Sequence, residues 1–272
     1  MTYRELCHRL SEGGIDCAER EATILAEHFC GISPASLLAD PNRELDGEAI
    51  SSAVARRLTR EPLAYILGEW PFFEETYWVS PDCLIPRPET ELLVEQAIAL
   101  LPQNGHFADL CTGSGCIAVS TLCHRPDCRA TAVDLFPRTA ALAQKNARRN
   151  GVSDRLRVCV GDVLDPLCLS DDGPFDAILS NPPYIRTHAV DGLEPELFHE
   201  PRAALDGGDD GMRFYRHIVS ALSRRLKPNG LFLFEIGYDQ ETDMLSLADT
   251  HALCCRILPD LSGNPRVAIL HH

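Results

Sequence analysis

The chain has 272 residues, of which 45% are apolar, and a net charge of −15. This length and composition suffice for one large domain with a small companion, and they exclude a chain that is disordered throughout. No apolar stretch approaches the ~20 residues of a membrane-spanning helix, and the N-terminus has no apolar signal segment, so we expect a cytoplasmic protein without a membrane partner. The acidic charge also argues against direct binding of nucleic acid.

The first 70 residues are predicted to form a small helical bundle. Apolar residues recur there at the spacing of one helix face. The predicted helices are residues 3–10, 17–30, a short one opened by Ser33-Pro34, and 48–60. Arg56, Arg57 and Arg60 cluster in the last helix, where we expect them on its solvated face or against an acidic partner. We therefore predict an N-terminal helical domain over residues 1–70.

Residues 71–84 are predicted to be a linker that contains a hairpin or an extended path. Aromatic and other strand-forming residues are concentrated in 72–79. Prolines at 81, 86 and 88 fix φ and keep the following chain extended. A helix then begins at Thr90, whose hydroxyl is predicted to cap it, and runs to Leu101.

Strands and helices alternate in the remaining domain, residues 85–272. The predicted strands are residues 106–110, 130–134, 156–161, 175–180, 231–236, 254–258 and 266–270. The predicted helices between them are residues 116–123, 137–150 and 213–226, the last stopped by Pro228-Asn229-Gly230. This alternation predicts an α/β fold with a doubly wound, mostly parallel, seven-stranded Rossmann-like sheet, whose last two strands form an antiparallel edge.

The twelve cysteines never occur in a C-x-x-C spacing. In a cytoplasmic protein we expect them to be reduced, with most of them filling small spaces in the core. A metal site of Cys123, His124 and Cys128 is the weaker alternative, so we predict that the protein holds no metal.

The motif Asn181-Pro182-Pro183-Tyr184 follows directly after the predicted strand 175–180. Two consecutive prolines stiffen the loop, which can then hold the amide oxygen of Asn181 and the carbonyl of Pro182 in fixed positions. Two such acceptors can bind both hydrogens of a planar NH2 group, while Tyr184 offers a flat face beside it. The motif favours methyl transfer to a conjugated nitrogen, such as a carboxamide or a base amine, although Asn and Pro also end many strands without further role.

A glycine-rich turn, residues 109–115, links the strand 106–110 to the next helix. Gly113 and Gly115 permit a tight turn and a close approach of a ligand to the backbone. Such turns also begin dinucleotide sites, although the full G-x-G-x-x-G spacing is missing because residue 118 is alanine. The turn, with Asp109 at its start, is therefore a candidate cofactor site.

Acidic residues end the next two predicted strands. Asp134 could accept hydrogen bonds from both hydroxyls of a ribose, and Asp162 could meet an adenine amino group with Val163 against the adenine face. The carboxyl ends of parallel strands meet at one edge of a sheet, where ligands bind. We therefore predict one cofactor site that joins these residues to the glycine-rich turn and to Asn181.

Six sequence segments, spread over the two predicted domains, resemble the motifs of a known family. They are residues 61–68, 84–91, 109–115, 181–185, 235–237 and 260–267. Together they resemble the peptide chain release factor glutamine methyltransferases, the HemK/PrmC family of class I S-adenosylmethionine-dependent methyltransferases. A sister family that methylates a ribosomal-protein glutamine has Pro-Arg-Ser-Pro where this chain has Pro86-Arg87-Pro88-Glu89, which favours the release-factor branch.

The resemblance implies methyl transfer from S-adenosylmethionine to the side-chain amide nitrogen (N5) of glutamine in the Gly-Gly-Gln motif of release factors, with S-adenosylhomocysteine as product. Residues 1–70 would help to dock the release factor, and we expect a monomer. The family's cofactor positions fall on Cys111, Thr112, Gly113, Ser114, Gly115, Asp134, Val163 and Asn181. Methylation of a ribosomal-protein glutamine or of a DNA base amine remains the alternative.

Overall fold

The computed structural model describes residues 1–170 and 172–272. These residues form two compact units. The first is Met1–Glu69 together with Glu194–His199, and the second is Trp70–Leu193 together with Glu200–His272.

The first unit is helical, as predicted. Its helices are α1 (Tyr3–Glu12), α2 (Ala18–Cys30), α3 (Pro34–Ala39), α4 (Glu48–Leu58) and α5 (Leu63–Leu67). Thr2 and Glu5 form a capping box at the start of α1, and the Ser33 hydroxyl caps α3. Helix α5 was not predicted; Pro62 is its N-cap residue.

Arg57 of α4 is buried, with 5% of its surface exposed, so its predicted place on a solvated helix face is wrong. It follows Ile50 and Val54 at helical spacing on the inward face. Two carboxylates compensate its charge: Arg57 Nε donates to Glu21 Oε2 at 2.6 Å, and Nη1 donates to Glu196 Oε1 at 3.1 Å. Because two carboxylates pair with it, the buried charge of Arg57 helps to hold the first unit together.

A hairpin and a helix precede the large sheet of the second unit. The hairpin consists of β1 (Glu69–Phe72) and β2 (Glu75–Trp78), and the helix is α6 (Glu91–Leu100). Thr90 occupies the predicted N-cap position of α6, but its side chain makes no capping hydrogen bond. The hydroxyl instead donates to Glu235, so the predicted capping role is wrong.

The large sheet has seven strands in the described residues, as predicted. They are β3 (His106–Leu110), β4 (Arg129–Asp134), β5 (Leu156–Val160), β6 (Phe175–Ser180), β7 (Leu226–Glu235), β8 (Cys254–Pro259) and β9 (Pro265–His271). Their spatial order is β5-β4-β3-β6-β7-β9-β8. Strands β3 to β7 pair in parallel, and β9 is antiparallel to both of its neighbours. The predicted doubly wound sheet with an antiparallel edge is thus confirmed.

Helices cover both faces of this sheet. Helices α6, α7 (Cys116–His124) and α8 (Pro137–Arg149) pack on one face, and α10 (Arg213–Leu222) and α11 (Glu241–Thr250) pack on the other. The short helix α9 (Thr187–Val190) follows the Asn-Pro-Pro-Tyr motif. None of the helices in the described part of the chain is both long and apolar enough to cross a membrane. Helix α11 was not predicted, although Met244, Leu247 and Ala248 give it a buried face.

The segment after α10 differs from the prediction. The helix ends at Leu222 rather than at 226, and Pro228-Asn229-Gly230 lies inside β7 instead of between helix and strand. The pairing of β6 with β7 shifts register there, because Phe175 pairs with Leu226 and Ala177 with Leu231. A proline lacks the N–H that a strand ladder needs, so a local irregularity accommodates it.

The strand order reverses between β3 and β6, and this reversal positions the site. The chain runs from β3 through β4 to β5 on one side, and then returns to place β6 on the other side of β3. Leu110 at the end of β3 pairs with Ser180 at the end of β6. The turn that starts at Cys111 and the motif that starts at Asn181 therefore leave adjacent strand ends at the point where ligands bind in open α/β sheets.

Candidate active site

The turn between β3 and α7 has an unusual backbone. Cys111, Gly113 and Gly115 all have positive φ, between +56° and +83°. A Cβ at Gly115 would lie 3.2 Å from the Cβ of Ala143, whereas a Cβ at Gly113 would meet nothing within 4 Å. Gly115 is thus required by close packing against α8, while Gly113 leaves open space beside the backbone that a ligand can approach.

Asp109 supports this turn from inside the protein. Its Oδ2 accepts hydrogen bonds from the Thr112 hydroxyl at 2.6 Å and from the Ala118 N–H at 3.2 Å. Its Oδ1 is buried and has no partner among the described residues. Burial raises the pKa of Asp109 to about 7. An unpaired buried acceptor beneath a glycine-rich turn fits a ligand or a water that donates a hydrogen bond there.

Asp134 lies at the carboxyl end of β4 beside the turn. Its Oδ2 accepts from the Gly113 N–H at 3.0 Å, and its Oδ1 accepts from the Phe136 N–H at 3.1 Å. Burial raises the pKa of Asp134, although these two N–H groups oppose the shift. The carboxylate is fixed in place by one bond on each oxygen, and each oxygen keeps a second acceptor position for a pair of hydroxyls.

Asp162 and Val163 follow β5 and complete this side of the site. Asp162 is exposed, and its Oδ1 accepts from the Leu164 N–H at 2.8 Å. Val163 is buried. An exposed acceptor next to an apolar side chain suits the edge and face of an adenine ring.

Asn181 lies at the end of β6 and is held by Thr90. Asn181 Nδ2 donates to Thr90 Oγ1 at 3.2 Å. The two prolines that follow are buried. A Cβ at Gly207 would lie 2.7 Å from the Pro183 carbonyl oxygen, so the later glycine-rich loop packs directly on the motif. This contact places the loop beside the site.

Tyr184 is turned toward the protein interior. Its hydroxyl donates to Glu235 Oε1 at 3.3 Å, and its carbonyl accepts from Gln240 Nε2 at 3.3 Å. Burial and the neighbouring Glu235 raise the pKa of Tyr184. In this arrangement the phenol is a partner of Glu235.

A cavity joins the strand ends described above. Its predicted lining residues are Cys111, Thr112, Gly113, Ser114, Asp134, Asp162, Val163, Asn181 and Pro183. The other predicted site residues lie behind this lining; they are Asp109, Gly115, Pro182 and Tyr184. The sequence analysis missed further lining residues, among them Ile85, Arg87, Thr90, Ile117, Leu135, Phe136 and Phe214. Only Leu135 and Phe136 had a local signal, since two large apolar residues follow an acidic strand end directly.

Cys111 lines the cavity, whereas most of the other cysteines lie outside it. All twelve are free thiols; three are buried, and five more are partly buried and pack against the core, in agreement with the prediction that most fill small spaces there. Cys123 Sγ donates to the Asn150 carbonyl, whereas Cys128 Sγ contacts Pro102 and Asp127. In residues 1–170 and 172–272, no group of three or more His, Cys, Asp or Glu side chains has the arrangement of a metal site.

Two family models match the chain. The PrmC N-terminal domain matches residues 2–68, and the methyltransferase small domain matches residues 88–229. The two matches cover the helical first unit and the part of the sheet that carries the cofactor turn and the Asn-Pro-Pro-Tyr motif.

Curated relatives are similar to nearly the whole chain. The release factor glutamine methyltransferase of Nitratidesulfovibrio vulgaris is 41% identical over 97% of this chain and 91% of its own length. The enzyme of the same name from Caulobacter vibrioides is 37% identical over 96% and 92%. A ribosomal protein L11 methylase structure from Lactobacillus delbrueckii subsp. bulgaricus, 19% identical, covers 75% of this chain and 89% of that chain with a TM-score of 0.51, which is a likeness of fold. The chain belongs to the release factor glutamine methyltransferase family of S-adenosylmethionine-dependent enzymes.

Proposed function

We propose that this protein methylates the side-chain amide nitrogen (N5) of glutamine in the Gly-Gly-Gln motif of peptide chain release factors. The main support for this proposal is that Asn181 and the cofactor turn leave neighbouring strand ends, where the strand order reverses between β3 and β6. Relatives named for this activity match both units of the chain. The substrate follows from those relatives, and the site geometry fits an amide acceptor.

The residues of the cavity fit S-adenosylmethionine. The open space at Gly113 and the carboxylate of Asp134, which the Gly113 N–H fixes in place, offer room and an acceptor on one side of the cavity. Asp134 would bind the ribose hydroxyls, the turn 111–115 the methionine part, and Asp162 with Val163 the adenine. The cofactor supplies a methyl group on a sulfonium, which is electrophilic enough that we propose a reaction without a metal.

The substrate amide would be bound by two acceptors. Asn181 Oδ1 and the Pro182 carbonyl would each accept one N–H of the glutamine side chain. As the amide nitrogen forms its new bond it gains positive charge, so both hydrogen bonds strengthen in the transition state, which is the requirement for catalysis. Alignment of the nitrogen with the methyl–sulfur bond can contribute up to about 7–11 kcal/mol. The proton then leaves after methyl transfer, and Tyr184 is predicted to flank the amide plane.

The Asp134→Asn variant should weaken binding of S-adenosylmethionine by about tenfold or more. An amide keeps the shape of the carboxylate but loses its charge and one acceptor, and hydrogen bonds to charged groups contribute about 1.5–3 kcal/mol. Isothermal titration of cofactor into the two proteins measures the difference. Asp239→Asn, a matched change of an exposed carboxylate paired with Arg186, serves as control. Equal affinities of wild type and Asp134→Asn would contradict the ribose role.

Methyl transfer from labelled S-adenosylmethionine tests the proposed substrate. The acceptors are a purified release factor, its Gly-Gly-Gln to Gly-Gly-Ala variant, ribosomal protein and DNA. Label on the wild-type release factor alone is expected. Label on both release factors would place the acceptor elsewhere, and label only on ribosomal protein or DNA would favour the corresponding alternative.

The cellular setting follows from this substrate. Release factors act in translation, so we propose that the enzyme works in the cytoplasm, as a monomer and without direct contact with nucleic acid. The helical residues 1–70 are proposed to contribute to docking of the release factor. S-adenosylhomocysteine is the second product.

A further inference from the structure

A chain of three side chains links Asn181 to a buried carboxyl group. Asn181 Nδ2 donates to Thr90 Oγ1 at 3.2 Å, and Thr90 Oγ1 donates to Glu235 Oε2 at 2.5 Å. Thr90 is 2% exposed and Glu235 is 1% exposed. Neither residue belongs to the acceptor pair for the substrate amide. We call these three side chains the Asn181–Thr90–Glu235 relay.

The direction of each hydrogen bond in the relay follows from the ionised carboxylate of Glu235 at its end. An ionised carboxylate only accepts, so the single hydroxyl proton of Thr90 must point to Glu235. The Thr90 oxygen can then only accept from Asn181, which turns the NH2 end of the Asn181 amide toward Thr90. In residues 1–170 and 172–272, Asn181 Oδ1 accepts no hydrogen bond. The oxygen end is the one left for the substrate.

We propose that Thr90 and Glu235 are positioning residues, which fix the Asn181 amide with its oxygen available to the substrate NH2 group. This inference rests on the proposed function, because it assigns an orientation to the acceptor in that reaction. Asn181 alone could rotate its amide by half a turn at little steric cost, since its oxygen and nitrogen have almost the same size. The reversed amide would present two donors to a substrate group that also only donates.

Protonation of Glu235 would reverse the relay. A protonated carboxyl group can donate to Thr90 Oγ1, which frees the Thr90 proton to donate to Asn181. The oxygen of Asn181 would then face Thr90, and its NH2 end would face the substrate. The ionised form of Glu235 is therefore the form that supports turnover.

The buried surroundings of Glu235 predict that its carboxyl group gains or loses its proton near neutral pH. Burial raises the pKa of Glu235 to about 7, whereas the Thr90 hydroxyl, the positive charge of Arg266 and the Tyr184 hydroxyl oppose the shift, and the negative charge of Glu89 adds to it. The backbone carbonyl of Glu235 accepts from Tyr215 at 2.7 Å. Because the ionised form is required, kcat should fall as the pH drops through about 7.

The Thr90→Val variant tests the relay without a change of shape. We expect kcat to fall by about 10- to 100-fold, with smaller changes in KM for the release factor and in cofactor affinity. This is less than the loss of about 10²–10³ expected when a preorganised group that contacts the substrate is removed, because Thr90 acts only through Asn181. Thr90→Ser keeps the hydroxyl and should restore most of the rate. Thermal melting of the three proteins shows whether each is folded. A Val variant with wild-type kcat, or a Ser variant as slow as the Val variant, would overturn the inference.

The pH profile of kcat supplies a readout that a purely structural role would not change. We expect an acidic limb with an apparent pKa of about 7 in wild type and no such limb in Glu235→Gln, which cannot ionise there. An acidic limb that persists unchanged in Glu235→Gln would overturn the inference while the proposed function stands. Failure of wild type to methylate any release factor would instead overturn the proposed function, and the inference with it.

Discussion

Replacement of Asn181 by alanine should lower kcat by about 100-fold or more and change the affinity for S-adenosylmethionine far less. The side chain supplies one of the two acceptors for the substrate amide, and its hydrogen bond strengthens as charge develops on the nitrogen. Removal of one such group from a preorganised site costs about 10²–10³ in kcat. Single-turnover methyl transfer with saturating cofactor measures the chemical step, and titration of cofactor measures binding.

A matched control shows whether loss of a side-chain amide away from the site also lowers kcat. Gln103 is an exposed residue with a side-chain amide. It lies shortly before β3, at the amino ends of the parallel strands and thus opposite the site. Gln103→Ala should retain the wild-type kcat. If Asn181→Ala also turned over at the wild-type rate, the acceptor role of this side chain would be refuted, whatever the substrate.

Replacement of Arg57 by alanine should lower the free energy of unfolding by about 3–5 kcal/mol. Arg57 is buried between Glu21 and Glu196, and its removal leaves the partly buried Glu21 without its cation, whereas Glu196 keeps its pair with Arg60. Loss of one partner from a buried ion pair has costs of this size. Urea denaturation followed by circular dichroism measures the change.

Arg56 provides the control for Arg57, because it lies on the same helix and also pairs with a glutamate. Its side chain is 43% exposed and pairs with Glu61 at 2.5 Å. An exposed pair contributes about 0–1 kcal/mol, so Arg56→Ala should be nearly neutral. Equal destabilisation by the two variants would contradict the view that burial makes the Arg57 pairs essential.

The sheet was predictable because its strands are short apolar runs bounded by turn residues. The predicted strands 106–110 and 175–180 coincide with β3 and β6. The start of β7 was not predictable, since Pro228-Asn229-Gly230 has the composition of a turn and lies within a strand only because β6 pairs with the residues around it. Helix α11 has its apolar residues within one turn and acidic residues around them, which weakens the periodic signal.

The position of the site was predictable from strand ends, but its supporting contacts were not. Asp134 ends β4 and Asn181 directly follows β6, so the topology alone brings them to one edge of the sheet. Thr90 and Glu235 are 145 residues apart in the chain, and no local pattern predicts their hydrogen bond. Thr90 also precedes a helix, where a cap is the usual role of its hydroxyl. The burial of Arg57 was not predictable for the same reason, because its carboxylate partner Glu196 lies 139 residues away in the chain.

Tandem mass spectrometry of a release factor, after incubation with the enzyme and S-adenosylmethionine, shows whether the Gly-Gly-Gln glutamine is the methyl acceptor. We expect the peptide with this motif to gain the mass of one methyl group and its fragments to place the group on the glutamine side chain. The same peptide should stay unmodified with Asn181→Ala. A methyl group on any other residue of the release factor, or an unmodified peptide after incubation with wild-type enzyme that binds cofactor, would contradict the account.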